Sequence, residues 1–441
     1  MLDNIPRFDM KKPPTRQKLR FLMKIIAPLT TRKQGQIIHK VNMDGIKPPY
    51  ILMGNHNSYY DLMVLEQAIL PNRCNYIVAI DGFIGREKLL RSIGGICKRK
   101  FTNDTNILRH IKTVLKNGDI MVIYPEARYS LCGTKSIIPK SNAALAKMFK
   151  VPLVTLTTHG DHIVEPFYNV KRRKIKGLEA TLECIATKEE VEKLPVEELD
   201  RRLQKALEYD DYAWLRDSGI LLKDKDRAKG LHKVLYQCPH CGTEYEMSSD
   251  GTQIKCNHCG KTYEMDEHGQ LHALEGKTEF PHIPDWYEWE RSNVRKEVEA
   301  GTYHFECPVR VDALPNADRF INLGMGKLVH NMNGFKLTGR YQDEDYEVVL
   351  LAKDHYSVHI EYEYLGKFGD CVDLNTLNDT FYVYPKCEKF SVTKMSLACE
   401  ELYKYLNTDK TISEAEKEFE NGAELIPVDV ARKQLDEKYS K

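Results

Sequence analysis

The sequence predicts a three-part chain: an α/β layer module, a small four-cysteine ribbon, and a mostly β C-terminal domain of α+β character. Three observations predict it. Short apolar runs alternate with helical periods from Pro49 to about Val170, two C-x-x-C pairs come next, and the stretch beyond them reads as successive strands. A chain of 441 residues exceeds one ordinary core, so the expected boundaries are 1–230, 231–275 and 276–410, with a charged tail at 411–441.

Composition narrows the class. Apolar residues make up 42% and charged residues 29%, the balance of a globular protein. Lys plus Arg (65) nearly equals Asp plus Glu (64), a net charge of +1, which argues against a surface built throughout for nucleic acid. The longest run without a charged residue, Pro48–Tyr60, is 13 residues, too short to span a bilayer. The opening MLDNIPRFDM lacks a signal-peptide pattern, and eight of the twelve cysteines are scattered, so a reducing, cytoplasmic location is expected.

Residues 1–40 form a basic segment with a net charge of +8. Within it, Arg16–Leu29 spaces Leu19, Leu22, Met23, Ile26 and Leu29 as an amphipathic helix with basic residues between them. Such a helix either packs on its own domain or lies in a lipid headgroup layer. The basic run Lys171–Lys176 reads as a solvated loop.

In the α/β module, Tyr50–Met53, Tyr76–Ile80, Ile120–Tyr124 and Pro152–Thr157 read as strands. Tyr60–Ile69, Asn106–Lys116 and Asn142–Phe149 read as helices, the second with Ile107, Leu108, Ile111, Val114 and Leu115 on one face and a stop at Gly118. Charged helical sequence fills Lys188–Tyr209. Past the cysteines, Trp286–Glu299 is helical, and His304–Val311, Lys327–Asn331, Phe335–Tyr341, Tyr346–Ala352, Tyr356–Tyr364 and Phe381–Tyr384 are strand candidates. A helical period at Ser396–Leu406 closes the domain as a small barrel or sandwich.

The stretch Gly54-Asn55-His56-Asn57-Ser58-Tyr59-Tyr60-Asp61 is the most informative. Five positions along one helix turn a residue by about 140°, so His56 and Asp61 meet only if His56 sits in the turn before the helix. The carboxylate would then orient the imidazole, leaving its other nitrogen to take a proton from an alcohol. The same residues also fit a plain helix start, since Ser58-x-x-Asp61 is a capping box.

Three further blocks lie downstream: Gly94-Gly95-Ile96-Cys97-Lys98-Arg99-Lys100, Tyr124-Pro125-Glu126-Ala127-Arg128-Tyr129-Ser130, and Val151-Pro152-Leu153-Val154. In this order the four blocks, over about Gly35–Lys176, resemble the 1-acylglycerol-3-phosphate acyltransferase family of glycerolipid acyltransferases. That resemblance implies His56 as general base and Asp61 as its partner. Glu126, Arg128, Lys100 and Arg99 would shape the acceptor site and hold its phosphate. The donor would be acyl-coenzyme A or acyl carrier protein, and the acceptor a lysophospholipid, lysophosphatidic acid first. The pattern is broken twice. Ala127 stands where the family has glycine, and Tyr129 stands where it has arginine, with Arg128 one position early; Lys100 stands where the second block has arginine.

Cys238-Pro-His-Cys241-Gly and Cys256-Asn-His-Cys259-Gly lie 14 residues apart, a spacing suited to four thiolates around a structural zinc ion, with iron the alternative. Between Cys238 and Glu264 two lysines face four acids, a poor surface for nucleic acid. His240 and His258 are expected to be spectators. The C-terminal strand count and closing helix allow a pleckstrin-homology-type barrel by analogy of fold alone. The expected protein is a peripheral enzyme on the inner, cytoplasmic face of a membrane, held on anionic lipid by its basic N-terminal segment. An inactive acyltransferase-like adaptor, binding protein or lipid through the ribbon and β domain, is the competing reading.

Overall fold

The computed structural model describes residues 5–169 and 171–420, with side chains through residue 407. Most of the expected 411–441 tail therefore lies outside the described residues.

One seven-stranded sheet organises the first module. Its strands are β1 (Ile37–Val41), β2 (Ile51–Gly54), β3 (Cys74–Ala79), β4 (Gly95–Lys98), β5 (Ile120–Ile123), β6 (Leu153–His159) and β7 (Glu179–Ala186). They lie in the order β1-β7-β6-β2-β5-β3-β4, and only the β6–β7 pair is antiparallel. β2 and β5 are buried along their whole length, as continuous apolar strands of a covered parallel sheet must be.

The helices are α1 (Arg20–Lys33), α2 (Asp61–Ala68), α3 (Glu87–Ser92), α4 (Asn106–Lys116), α5 (Ser141–Phe149), α6 (Asp161–Val164), α7 (Lys188–Lys193), α8 (Val196–Ala206) and α9 (Asp211–Ser218). Alternate residues of β2 feed two cores. Tyr50 and Leu52 pack with Val64 and Leu65 of α2, while Ile51 and Met53 pack with Ile111 and Val114 of α4, Ala143 of α5 and Leu199 of α8. His56 is thereby delivered at the carboxyl end of a central strand, where α/β sheets place ligands.

The helix expected from Arg16 begins at Arg20 instead. The polar groups just before it bind α2 and the loops that lead into the sheet. Gln17 donates to Glu66 and to the Ile93 carbonyl, and Arg16 binds Asp119 at 2.7 Å. Arg20 is itself buried against Glu66. The Lys171–Lys176 run also differs from expectation: Arg173 is buried and donates to the Ile163 and Arg227 carbonyls, and Ile175 is in the core.

The ribbon is a four-stranded antiparallel sheet of β8 (Met247–Asp250), β9 (Gln253–Cys256), β10 (Thr262–Met265) and β11 (Leu271–Ala273). Side chains of the C-terminal module fasten it. The Trp286 indole donates to the Gln237 carbonyl at 2.9 Å, and Lys394 binds both Glu244 and Glu297.

The last module comprises α10 (Ile283–Glu299), the strands β12 (His304–Leu314), β13 (Ile321–Asn331), β14 (Gly334–Tyr341), β15 (Glu344–Leu351), β16 (His359–Glu361), β17 (Cys371–Asn375) and β18 (Thr380–Pro385), and α11 (Val392–Glu420). The strands all pair antiparallel in the order β15-β14-β13-β12-β18-β17-β16. The expected long strand Tyr356–Tyr364 is only three residues, and β17 is an addition.

Two arginines of the first module fasten this last one. Arg128 donates to Glu400 of α11 at 2.7 Å, and Arg291 of α10 donates to the same carboxylate at 2.6 Å, with the Ser357 hydroxyl at 2.8 Å. Arg99 donates to the carbonyls of Leu314, Pro315 and Asn378 and to Thr380 Oγ1. Burial alone would push the Glu400 carboxyl up, but Arg128 and Arg291 hold it at about 2. Its stabilising effect is therefore present above about pH 4.5, the unfolded value, and lost as pH falls toward 2. Glu400→Ala should cost about 3–5 kcal/mol by leaving two buried guanidiniums unpaired, measured as a lower urea midpoint at pH 7. The difference from wild type should shrink at pH 3.

Candidate active site

Gly54 ends β2 where a Cβ would lie 3.1 Å from the Tyr124 ring and 3.2 Å from the Leu156 carbonyl, so the strand passes closely beneath both. Asn55 then locks the turn to β6. Its side-chain amide donates to the Thr158 carbonyl and its oxygen accepts the Thr158 N–H, at 2.9 and 2.8 Å. His56 comes next in the turn, and its Nδ1 lies 2.8 Å from Asp61 Oδ2.

Asp61 is the first residue of α2 and also accepts the N–H groups of Asn57 and Ser58, at 2.8 and 3.2 Å. The turn before the helix and the His–Asp pair are thus one arrangement: the carboxylate that gathers the Asn57 and Ser58 amides also orients the imidazole. The His56 ring is held between Tyr124, 4.4 Å away between centroids, and Tyr129, 4.1 Å away. Its side chain is 22% exposed, and Nε2 has no hydrogen bond among the described residues. One ring nitrogen is therefore engaged with a carboxylate, while the other makes no hydrogen bond among the described residues.

Residues 31–159 match the family model described as Acyltransferase. The chain carries an acyltransferase domain. Among solved structures, it is similar to "the 1-acyl-sn-glycerophosphate (LPA) acyltransferase, PlsC, from Thermotoga maritima", at 16% identity over 43% of this chain and 76% of that one, with a TM-score of 0.35. No curated protein gives a significant match.

The remaining expected site residues of the acyltransferase domain are dispersed. Glu126 is buried, with one oxygen accepting from the Ser136 N–H and hydroxyl at 2.9 and 2.8 Å; burial raises its carboxyl despite those bonds. Arg128 is 3% exposed and turned toward Glu400, and Arg99 is buried among the acceptors described above. Both guanidinium groups are thus engaged with the C-terminal domain. In the loop after β5, Tyr129 packs against His56 while Arg128 reaches Glu400 of the C-terminal domain. Lys100 is half-buried, with no ion pair within 4 Å among the described residues, and its charge acts on Glu361, Asp373 and His359.

Several site residues were not expected from sequence. Tyr124 and Tyr129 wall the imidazole, and Phe167 continues the aromatic row from Tyr129 to His359. Asp161 is fully buried, its carboxyl driven up by burial and by the fields of Asp61 and Asp211. Arg172 lies 4.6 Å over the Tyr60 ring, an exposed cation close to the His56 turn.

The four cysteines of the ribbon converge as expected and can hold a metal ion. Cys238 and Cys259 Sγ are 3.8 Å apart, as are Cys241 and Cys256. Four sulfurs at about 2.3 Å from one tetrahedral ion would be about 3.8 Å apart. Backbone N–H groups of His240 and Cys241 point at Cys238, and those of His258 and Cys259 at Cys256.

Ala127 has φ +56°, the left-handed conformation in which a Cβ is strained. The glycine of related sequences would relax here. Ala127→Gly should therefore raise stability by about 0.5–1 kcal/mol despite glycine's freer unfolded chain, measured as a higher urea midpoint.

Proposed function

We propose that the protein moves a fatty acyl group from an acyl thioester to the free hydroxyl of a lysophospholipid, lysophosphatidic acid in the first place. The observation that carries this reading is the His56–Asp61 pair at the carboxyl end of β2 inside the acyltransferase domain. With Nδ1–H donating to Asp61, Nε2 takes the acceptor hydroxyl proton as the oxygen attacks the thioester carbonyl. The tetrahedral intermediate expels the thiolate, and the imidazolium, stabilised by Asp61, returns the proton to the sulfur. Either acyl-coenzyme A or acyl carrier protein supplies such a thioester. With Arg99 and Arg128 committed to the C-terminal domain, Lys100 and Arg172 are the cations left to meet an acceptor phosphate.

Four thiolates at tetrahedral spacing support a structural zinc ion in the ribbon, which stabilises a module with little core of its own. The order of the C-terminal sheet supports a pleckstrin-homology-like fold. A four-strand meander and a three-strand meander join through their first and last strands, and a C-terminal helix packs against them.

Among the described residues, no helix is long and apolar enough to cross a membrane. The face of α1 supports peripheral attachment. Phe21, Leu22, Ile25, Ile26 and Leu29 all point outward, Phe21 and Leu29 at 60% and 63% exposure, while Met23 and Ala27 face inward. These five form one stripe, flanked by exposed Lys18, Lys24, Arg32 and Lys33. Such a stripe fits the boundary between headgroups and acyl chains.

The central test is acyl transfer to lysophosphatidic acid from each donor. His56→Ala should lower kcat by about 10²–10⁴-fold with little change in stability. Equal rates for variant and wild type would refute the base. No transfer by wild type to any lysophospholipid or to glycerol 3-phosphate would instead favour the adaptor. For the membrane face, Phe21→Ser with Ile25→Ser should weaken binding to anionic vesicles at least about tenfold, since each buried side chain contributes about 1.5–3 kcal/mol. Unchanged co-sedimentation would remove α1 as the contact.

A further inference from the structure

His359 and Glu361 are two residues apart on β16 and so share a face of the sheet, and Asp373 of β17 stands directly opposite His359. Their donor atoms converge. His359 Nε2 is 2.8 Å from Glu361 Oε1 and 3.9 Å from Asp373 Oδ2, and one donor atom from each of the three lies within 4.8 Å of the others. All three residues are buried.

The charge there is not balanced. Glu361, Asp373 and the half-buried Asp81 bring three carboxyl groups together, and Lys100 is the cation whose field acts on the first two. Asp373 accepts one hydrogen bond, from the Cys371 thiol at 3.8 Å, and Asp81 one, from the Tyr364 hydroxyl at 3.3 Å. His359 Nδ1 is buried without a partner. Buried carboxylates so poorly paired are costly unless a cation meets them.

We infer that His359, Glu361 and Asp373 form a second metal site, distinct from the four cysteines, that binds one first-row divalent cation such as Mn2+ or Zn2+. One imidazole and two carboxylates are the donors such ions take, and bonds of about 2.1 Å place donors about 3–4 Å apart, close to the spacing here. Three protein ligands leave coordination positions open for water or an oxyanion. The site lies on the face that the C-terminal domain turns to the acyltransferase domain. Phe167 touches both His359 and Tyr129, and Tyr129 touches His56.

The test is equilibrium dialysis of the full chain against Mn2+, followed by elemental analysis of all first-row metals. Wild type should hold one ion per chain more than Asp373→Asn, an isosteric change, and Glu361→Gln should bind Mn2+ at least tenfold more weakly. Far-UV circular dichroism identifies a variant that fails to fold, in which case the other decides. Equal metal content in wild type and both folded variants would overturn the site. This readout does not depend on acyl transfer, so either proposal can fail without the other.

Discussion

The Glu400 carboxylate, buried between Arg128 and Arg291, is the interaction on which the arrangement of this chain depends. It joins the loop after β5, α10 and α11 at one point. The second guanidinium is balanced by further acids, since Arg291 also pairs with Glu288 and Glu401, and the Ser357 hydroxyl donates to Glu400 as well. Such a cluster contributes less to stability than its short distances suggest, because desolvation offsets most of the attraction. What it does is penalise every other placement of the C-terminal domain, since any separation strands buried charges. Arg99 acts similarly through neutral acceptors, three carbonyls and the Thr380 hydroxyl, which meet its planar fork at four points.

This use of Arg99 and Arg128 changes the active site. Side chains that the resemblance assigned to an acceptor phosphate are struts between domains, and an aromatic wall stands in their place. Tyr129 packs against His56, and Phe167 links Tyr129 to His359 of the C-terminal domain.

Much of the α/β layer is legible in the sequence, because its central strands are continuous apolar runs and α4 has a strong apolar face. β1 and β7 are not, for β1 is largely exposed and β7 alternates with charged residues. Periodicity starts α1 four residues early because Arg16 and Gln17 fit a helical period while their side chains bind α2 and the loops that lead into the sheet. The His56–Asp61 pair and the cysteine cluster can be read because each is local, held by a turn of a few residues. Arg128 cannot. Its partner lies 272 residues away, and no local pattern distinguishes a guanidinium facing a ligand from one facing a buried carboxylate. Tyr129 could have been found by noting that it, not Arg128, stands at the position of the family arginine. The His359–Glu361–Asp373 cluster is hidden in the sequence because β17 gives no clear strand signal, and without that strand Asp373 has no place opposite His359.

Whether Arg128 serves Glu400 or the substrate decides how the two domains and the active site fit together. A double-mutant cycle of Arg128→Ala and Glu400→Ala, read by urea unfolding of the full chain, measures this directly. Strong coupling is predicted, with the double variant little less stable than either single one and an interaction of at least about 2 kcal/mol. Additive losses within about 0.5 kcal/mol would contradict the strut between domains and return Arg128 to the acceptor site.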